Sequence, residues 1–230
     1  MLRAVIFDFD GVIVDTERFH FQALKRVLAE EGIPLTWEEY TQAYLAMDDK
    51  KCFRTALARH GQAIAPGIVD GLVERKAHYF FFFGTLSDAV ALFPGVEGLI
   101  REAAEKYPLA IASGALREEI EFLLGKAGLR EFFPVVVAAE DVVRGKPDPE
   151  AYIAALGRLN RLISGRPVRP SECLVVEDSR HGVAAATSAG MRCLAVANSY
   201  TPEELTAAHL VLKSLEQVDL QQIIEALFVR

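Results

Sequence analysis

The sequence predicts an α/β protein, a doubly wound parallel sheet with a small helical bundle inserted near its start. Short, continuous apolar runs recur at Arg3 to Asp8, Leu109 to Ala112, Val135 to Ala138, Leu174 to Val176, Leu194 to Val196 and, more weakly, Leu210 to Leu212. Runs of this length, rich in β-branched residues, read as strands buried on both faces of a parallel sheet. Helix-patterned stretches alternate with them, at Val96 to Lys106, Leu116 to Ala127, Pro149 to Leu162, His181 to Ala189 and Leu215 to Phe228. That alternation implies βαβ units with helices on both sheet faces. One region interrupts it. From Thr16 to about Leu86 the chain shows helical periods such as Phe19, Ala23, Val27 and Leu45, Phe53, Leu57, punctuated by Gly32-Ile33-Pro34, Gly61 and Pro66-Gly67. A helical bundle is therefore expected over 16–86, with the sheet domain made of 1–15 and 87–230.

Composition narrows the function classes. The chain has 230 residues, 51% hydrophobic and 25% charged, which suits a folded protein of one large or two unequal domains. Its net charge of −7 opposes binding to nucleic acid and to anionic membrane surfaces. No uncharged stretch approaches the roughly 18 apolar residues of a membrane helix, and no secretory pattern precedes Asp8. Cys52, Cys173 and Cys193 are scattered and lack C-x-x-C spacing, which argues against disulfides and zinc and for the cytoplasm. Five successive aromatics, Tyr79 to Phe83, cannot all face one core from one helix. Part of that run is expected to pack in the bundle and part to contact the other domain, with an exposed patch for self-association as the alternative, in a monomer or weak homodimer.

In an open α/β sheet, ligands bind beyond the carboxyl ends of the strands. Four such ends are polar here. After the first strand, Asp8-Phe9-Asp10-Gly11 sets two carboxylates two residues apart, with a glycine that permits close approach of a ligand. After the second, Ser113-Gly114-Ala115 combines a hydroxyl with backbone N–H groups at a helix start, which suits phosphate oxygens or a simple helix cap. After the third, Gly145-Lys146-Pro147-Asp148-Pro149 holds Lys146 on a turn flanked by prolines. After the fourth, Glu177-Asp178-Ser179 adds acids that would repel Asp8 and Asp10 unless a hard cation such as Mg²⁺ lay between them; capping by Asp178 or Ser179 is the plainer reading. Taken together, the four form a phosphoryl-transfer set.

These pieces, with the run Val12-Ile13-Val14-Asp15-Thr16, Gly182 and the Ala189-Gly190-Met191 turn, resemble the haloacid dehalogenase superfamily, in the subgroup with a helical cap after the first motif. That resemblance covers the whole chain and implies a phosphatase or phosphomutase acting on a small phosphorylated substrate. It implies Asp8 as nucleophile, forming an aspartyl-phosphate. Asp10 would act as acid and base, with a pKa pushed up by neighbouring carboxylates and down by Mg²⁺ and Lys146. The ion would be held by Asp8, the carbonyl of Asp10 and Asp178, with Glu177 a ligand through water or an orienting group. Ser113, Gly114, Ala115 and Lys146 would bind the phosphoryl group. Asp10 speaks against the dehalogenase branch, which lacks metal and second acid.

Two readings of the acceptor follow. Asp15-Thr16-Glu17-Arg18-Phe19-His20 resembles the opening of sugar-phosphate mutases, in which a histidine at the place of His20 couples cap closure to catalysis. Against this, Leu45-Ala46-Met47-Asp48-Asp49 stands where mutases present a lysine and an arginine, leaving Lys50 and Lys51 as substitutes, and Ala115 and Arg117 replace small polar residues. The expected activity is hydrolysis, with Thr16, His20, Lys50 and Arg117 as candidate substrate or cap residues. A mutase is the alternative, and a non-catalytic phospho-ligand binding protein a minor one.

Overall fold

The computed structural model describes residues 1–45, 47–62, 64, 65, 67–86 and 91–229, with Thr85 and Leu86 as backbone only. Ala46, Pro66 and the expected domain boundary at 87 lie outside the described residues. The chain forms two compact units, Met1–Asp15 with Val90–Arg230, and Thr16–Ala89.

The first unit is built on six parallel strands: β1 (Ala4–Phe7), β2 (Leu109–Ala112), β3 (Val135–Val137), β4 (Cys173–Glu177), β5 (Arg192–Val196) and β6 (Leu210–Leu212). Their order is β3-β2-β1-β4-β5-β6. The chain therefore winds outward from β1 in one direction and then from β4 in the other, which makes the β1/β4 boundary the topological switch point. Every residue of β1, β2, β3 and β4 is buried. That is why these strands read as unbroken apolar runs rather than alternating ones. Edge strand β6 is only half-buried, and its signal is correspondingly weaker.

Five helices of this unit are described between and beyond the strands. The helical unit comprises α1 (Glu17–Glu30), α2 (Trp37–Ala43), α3 (Asp49–Arg59) and α4 (Ile68–Leu86). In the sheet unit follow α5 (Val96–Ala104), α6 (Arg117–Ala127), α7 (Glu150–Leu162), α8 (Arg180–Ser188) and α9 (Leu220–Phe228), with short 3₁₀ turns between them. Along α7 the buried residues Ala151, Tyr152, Ala155, Leu156 and Leu159 form one stripe, which packs with Ala4, Ile6, Ala110, Val135 and Val175 of the sheet.

One expected helix is shortened. Leu215 to Phe228 is helical only from Leu220, because Asp219 caps the helix through the N–H of Gln221 and Gln217 takes a positive φ of 59°. Leu215 is instead buried in a turn, with its backbone against Gly95.

In the helical unit, Leu24, Val27, Leu28, Phe53, Leu57 and Leu72 form a core of their own. Trp37 packs against Phe21 and Tyr40 there. All of Tyr79 to Phe83 lies on α4, and its helical period splits the run: Phe80 is fully buried, while Phe82 is 55% exposed. Among the described residues no helix is long and apolar enough to cross a membrane, and the three cysteines are buried and free.

Candidate active site

Strand register assembles the site. Phe7 of β1 pairs with Val176 of β4, and the N–H of Asp8 donates to the carbonyl of Val176 at 2.9 Å. One step further on, Asp8 and Glu177 leave the sheet side by side at the switch point. Phe7 also pairs with Ile111 of β2, so Ser113 follows on the neighbouring strand's end.

A tight turn follows Asp8. The carbonyl of Phe9 accepts the N–H groups of Val12, Ile13 and Val14, and Asp10 bridges to Val14. Gly11 has φ of 78°, and a Cβ placed on it would lie 2.0 Å from Asp178 Oδ2. Glycine is therefore required twice over, by backbone conformation and by the carboxylate beside it. The carbonyl of Gly11 accepts from Asn198 Nδ2 at 2.7 Å, which ties the turn to the loop after β5.

Lys146 reaches this turn from the loop before α7. Its Nζ stands 2.8 Å from Asp8 Oδ1 and 2.7 Å from Glu177 Oε1. The loop is braced by Glu150, which accepts the N–H groups of Val143 at 2.8 Å and Arg144 at 3.1 Å. Asp8 Oδ1 is enclosed and makes no well-aligned hydrogen bond despite the nearby ammonium.

Glu177 is fully buried, and an isolated charge there would cost several kcal/mol. Five donors offset that cost. Oε1 accepts from Lys146 and from the Tyr152 hydroxyl at 2.8 Å, while Oε2 accepts from the N–H groups of Asp178 at 2.8 Å and Ser179 at 2.9 Å and from Ser179 Oγ at 3.0 Å. Ser179 Oγ also caps α8 by accepting the N–H of Gly182, so capping falls to Ser179 and leaves Asp178 to the site.

The charges divide unequally. Burial acts against the Glu177 carboxylate, but Lys146 and the other donors outweigh it and hold its pKa below the usual range. Burial pushes the Asp8 carboxyl up to about 7, opposed by Lys146 and reinforced by Glu177. Asp178 is raised well above the usual range by burial and by Glu177 and Asp8. Burial also works against the Lys146 charge, yet the two carboxylates hold its pKa above the ordinary lysine value. Carboxylate oxygens of Asp8, Glu177 and Asp178 lie within 4.8 Å of one another. Asp8 and Asp178, crowded beside the fully bonded Glu177, offer hard carboxylate oxygens that fit a divalent cation such as Mg²⁺.

The start of α6 differs from the expected open helix end. Ser113 is buried, and its Oγ accepts the N–H of Ala115 at 3.1 Å. The N–H of Leu116 goes to Glu119, and that of Arg117 to both Glu140 oxygens at 3.1 and 3.2 Å. Carboxylates thus already occupy the first turn of α6, leaving the Ser113 hydroxyl and exposed Gly114 for a ligand. Arg117 is committed elsewhere as well. Its guanidinium pairs with Asp141 and donates to the Val136 carbonyl at 3.2 Å, beside Arg158, which donates to the same two groups.

The remaining sequence candidates lie in the helical unit. Thr16 is buried at the start of α1. His20 Nδ1 is 2.9 Å from Lys76 Nζ, and that buried ammonium is 2.5 Å from Asp49. Lys50 makes an exposed pair with Asp70 at 2.9 Å. Sequence reasoning missed Tyr152 and Asn198, neither of which carries a legible signal, whereas Gly182 is singled out as the glycine that follows the second acidic pair.

A family model, haloacid dehalogenase-like hydrolase, matches residues 2–190. Validoxylamine A 7'-phosphate phosphatase of Streptomyces hygroscopicus subsp. limoneus is 30% identical over 221 residues, spanning 95% of this chain and 96% of that protein. Protein CbbY of Rhodobacter capsulatus is 31% identical over 234 residues, spanning 97% and 98%. The crystal structure of CbbY from Rhodobacter sphaeroides in complex with phosphate superposes with a TM-score of 0.82 at 29% identity, covering 94% of this chain and 96% of that one. With the family model spanning most of its length and its acidic turn, lysine loop and second acidic pair meeting at one sheet edge, the chain belongs to the haloacid dehalogenase-like hydrolases.

Proposed function

We propose that this phosphoric monoester hydrolase releases phosphate from a small phosphorylated metabolite, a sugar phosphate or similar ester, through an aspartyl-phosphate on Asp8 and with Mg²⁺ as cofactor. The observation that carries the reading is Asp8 itself, buried at the switch point and held 2.8 Å from Lys146. The phosphatase relative that acts on validoxylamine A 7'-phosphate and the CbbY crystallised with phosphate support a phosphorylated ligand.

In the first half-reaction an Asp8 oxygen bonds to phosphorus as the ester P–O bond breaks, and the departing oxygen takes a proton from Asp10. In the second, water attacks phosphorus, Asp10 accepts its proton, and the bond to Asp8 breaks. Lys146 carries positive charge to the nucleophile and to the phosphoryl oxygens. The Ser113 hydroxyl, already an acceptor from Ala115, keeps its O–H to donate to the phosphoryl group. Asp8, Asp178 and the Asp10 carbonyl would hold Mg²⁺, which supplies charge neutralisation at the transferring group. Glu177, with both oxygens taken, serves to orient Lys146 and Asp178. We assign selection of the acceptor to the Thr16–Ala89 unit, on its resemblance to the family's inserted caps.

Phosphorus NMR of the protein with Mg²⁺ and a pool of phosphorylated metabolites tests the reading against Asp8→Asn. Free phosphate that requires both Asp8 and Mg²⁺ is the expected result. Isomerisation of a sugar phosphate without phosphate release would replace hydrolysis by a mutase reaction.

A further inference from the structure

Among the described residues Tyr152 is the largest fully buried side chain, and it reaches the site without any feature that marks it in the sequence. It sits in the first turn of α7, two residues after Glu150, which braces the lysine loop. Its hydroxyl donates to Glu177 Oε1 at 2.8 Å. The Lys146 ammonium uses that same oxygen at 2.7 Å, and it also lies 5.0 Å from the centroid of the Tyr152 ring. One side chain thus touches Lys146 in two ways, through a shared acceptor and through its ring face.

We propose that Tyr152 is a positioning residue for Lys146, holding the ammonium at Asp8 by fixing Glu177 Oε1 and by presenting its ring beneath the charge. This rests on the reading of Asp8 and Lys146 as the phosphoryl-transfer pair. Glu177 Oε2 is immobilised by Asp178 and Ser179, so the remaining freedom of the carboxylate lies at Oε1. There the phenol competes with Lys146 for the same lone pairs. Without it, Glu177 draws the ammonium closer to itself and away from Asp8 Oδ1, which now stands 2.8 Å from it. A leucine at 152 removes the ring as well, and the ammonium then loses both restraints.

Two variants and two readouts test this. With p-nitrophenyl phosphate and hexose monophosphates as probes, Tyr152→Phe is expected to lower kcat about tenfold with KM within about twofold, the scale of one hydrogen bond to a charged group. Tyr152→Leu is expected to lower kcat about a hundredfold. In nitrogen-resolved NMR, the Lys146 ammonium resonance is expected to shift in both variants. An unchanged kcat in Tyr152→Phe, or a fall in melting temperature alone, assigns Tyr152 to packing and overturns the proposal. So does a fall in kcat with the Lys146 resonance unmoved. If Asp8→Asn hydrolyses the probes at the wild-type rate, the Asp8 reading fails on its own, and the Lys146 resonance still decides whether Tyr152 sets the ammonium.

Discussion

A Cβ placed on Gly182 would lie 1.5 Å from Glu177 Oε1. No rotamer change can relieve that overlap cheaply, because five donors already fix the carboxylate. Gly182→Ala is therefore expected to destabilise the protein by roughly 2–4 kcal/mol and to lower kcat more than a hundredfold, with Lys146 and Asp178 displaced together. Thermal melts and steady-state kinetics check it; wild-type values in both would show that the Glu177 cluster is not required in this arrangement.

Gly11 makes the same kind of demand on Asp178. An alanine there meets a left-handed backbone costing about 1–2 kcal/mol and a contact 2.0 Å from Asp178 Oδ2. The expected outcome for Gly11→Ala is a weakened stabilisation by Mg²⁺, at least tenfold in apparent affinity, exceeding the loss in metal-free stability. Titrating Mg²⁺ against melting temperature separates the two effects.

The raised acids predict the pH dependence of the metal-free protein. Asp8, with a folded pKa of about 7, and Asp178, also raised, bind more protons folded than unfolded. Stability should therefore fall as pH rises from about 4 to 7, by up to about 4 kcal/mol from Asp8. Asp141 and Glu172, both held near 2 by arginines and backbone N–H groups, act oppositely and withdraw stability below about pH 4. Mg²⁺ should abolish the decline between about 4 and 7, and Asp8→Asn should flatten it. Denaturant melts across pH, with and without the ion, read both.

Arg117 tests a reading that sequence alone permitted. Its guanidinium is engaged with Asp141 and the Val136 carbonyl. Arg117→Ala is expected to cost about 1 kcal/mol of stability and to leave KM for hexose monophosphates within about twofold. A KM raised tenfold would restore the residue to the substrate.

The sequence by itself determined much about this protein. Strands β2 and β6 fall at the residues that their apolar runs marked, Asp8 and Asp178 stand at strand ends, and Lys146 stands on the loop before α7. Those features are local: a strand buried on both faces must be apolar throughout, and the polar residue that follows it marks where it leaves the sheet. The break of α9 at Leu220 was less legible, since an apolar period continues through Leu215 while the decisive cap, Asp219, is a single residue.

Tertiary structure decided the rest. Strand order and the pairing of Phe7 with Val176 bring Asp8 beside Glu177, across 169 residues of chain. Whether a carboxylate or a ligand fills the start of α6, whether Arg117 faces substrate or Asp141, and which acid keeps its charge all depend on neighbours distant in sequence. Tyr152 shows the physical reason most clearly. Its ring satisfies the apolar stripe of α7 as a phenylalanine would, and only the buried carboxylate above it gives the hydroxyl a purpose.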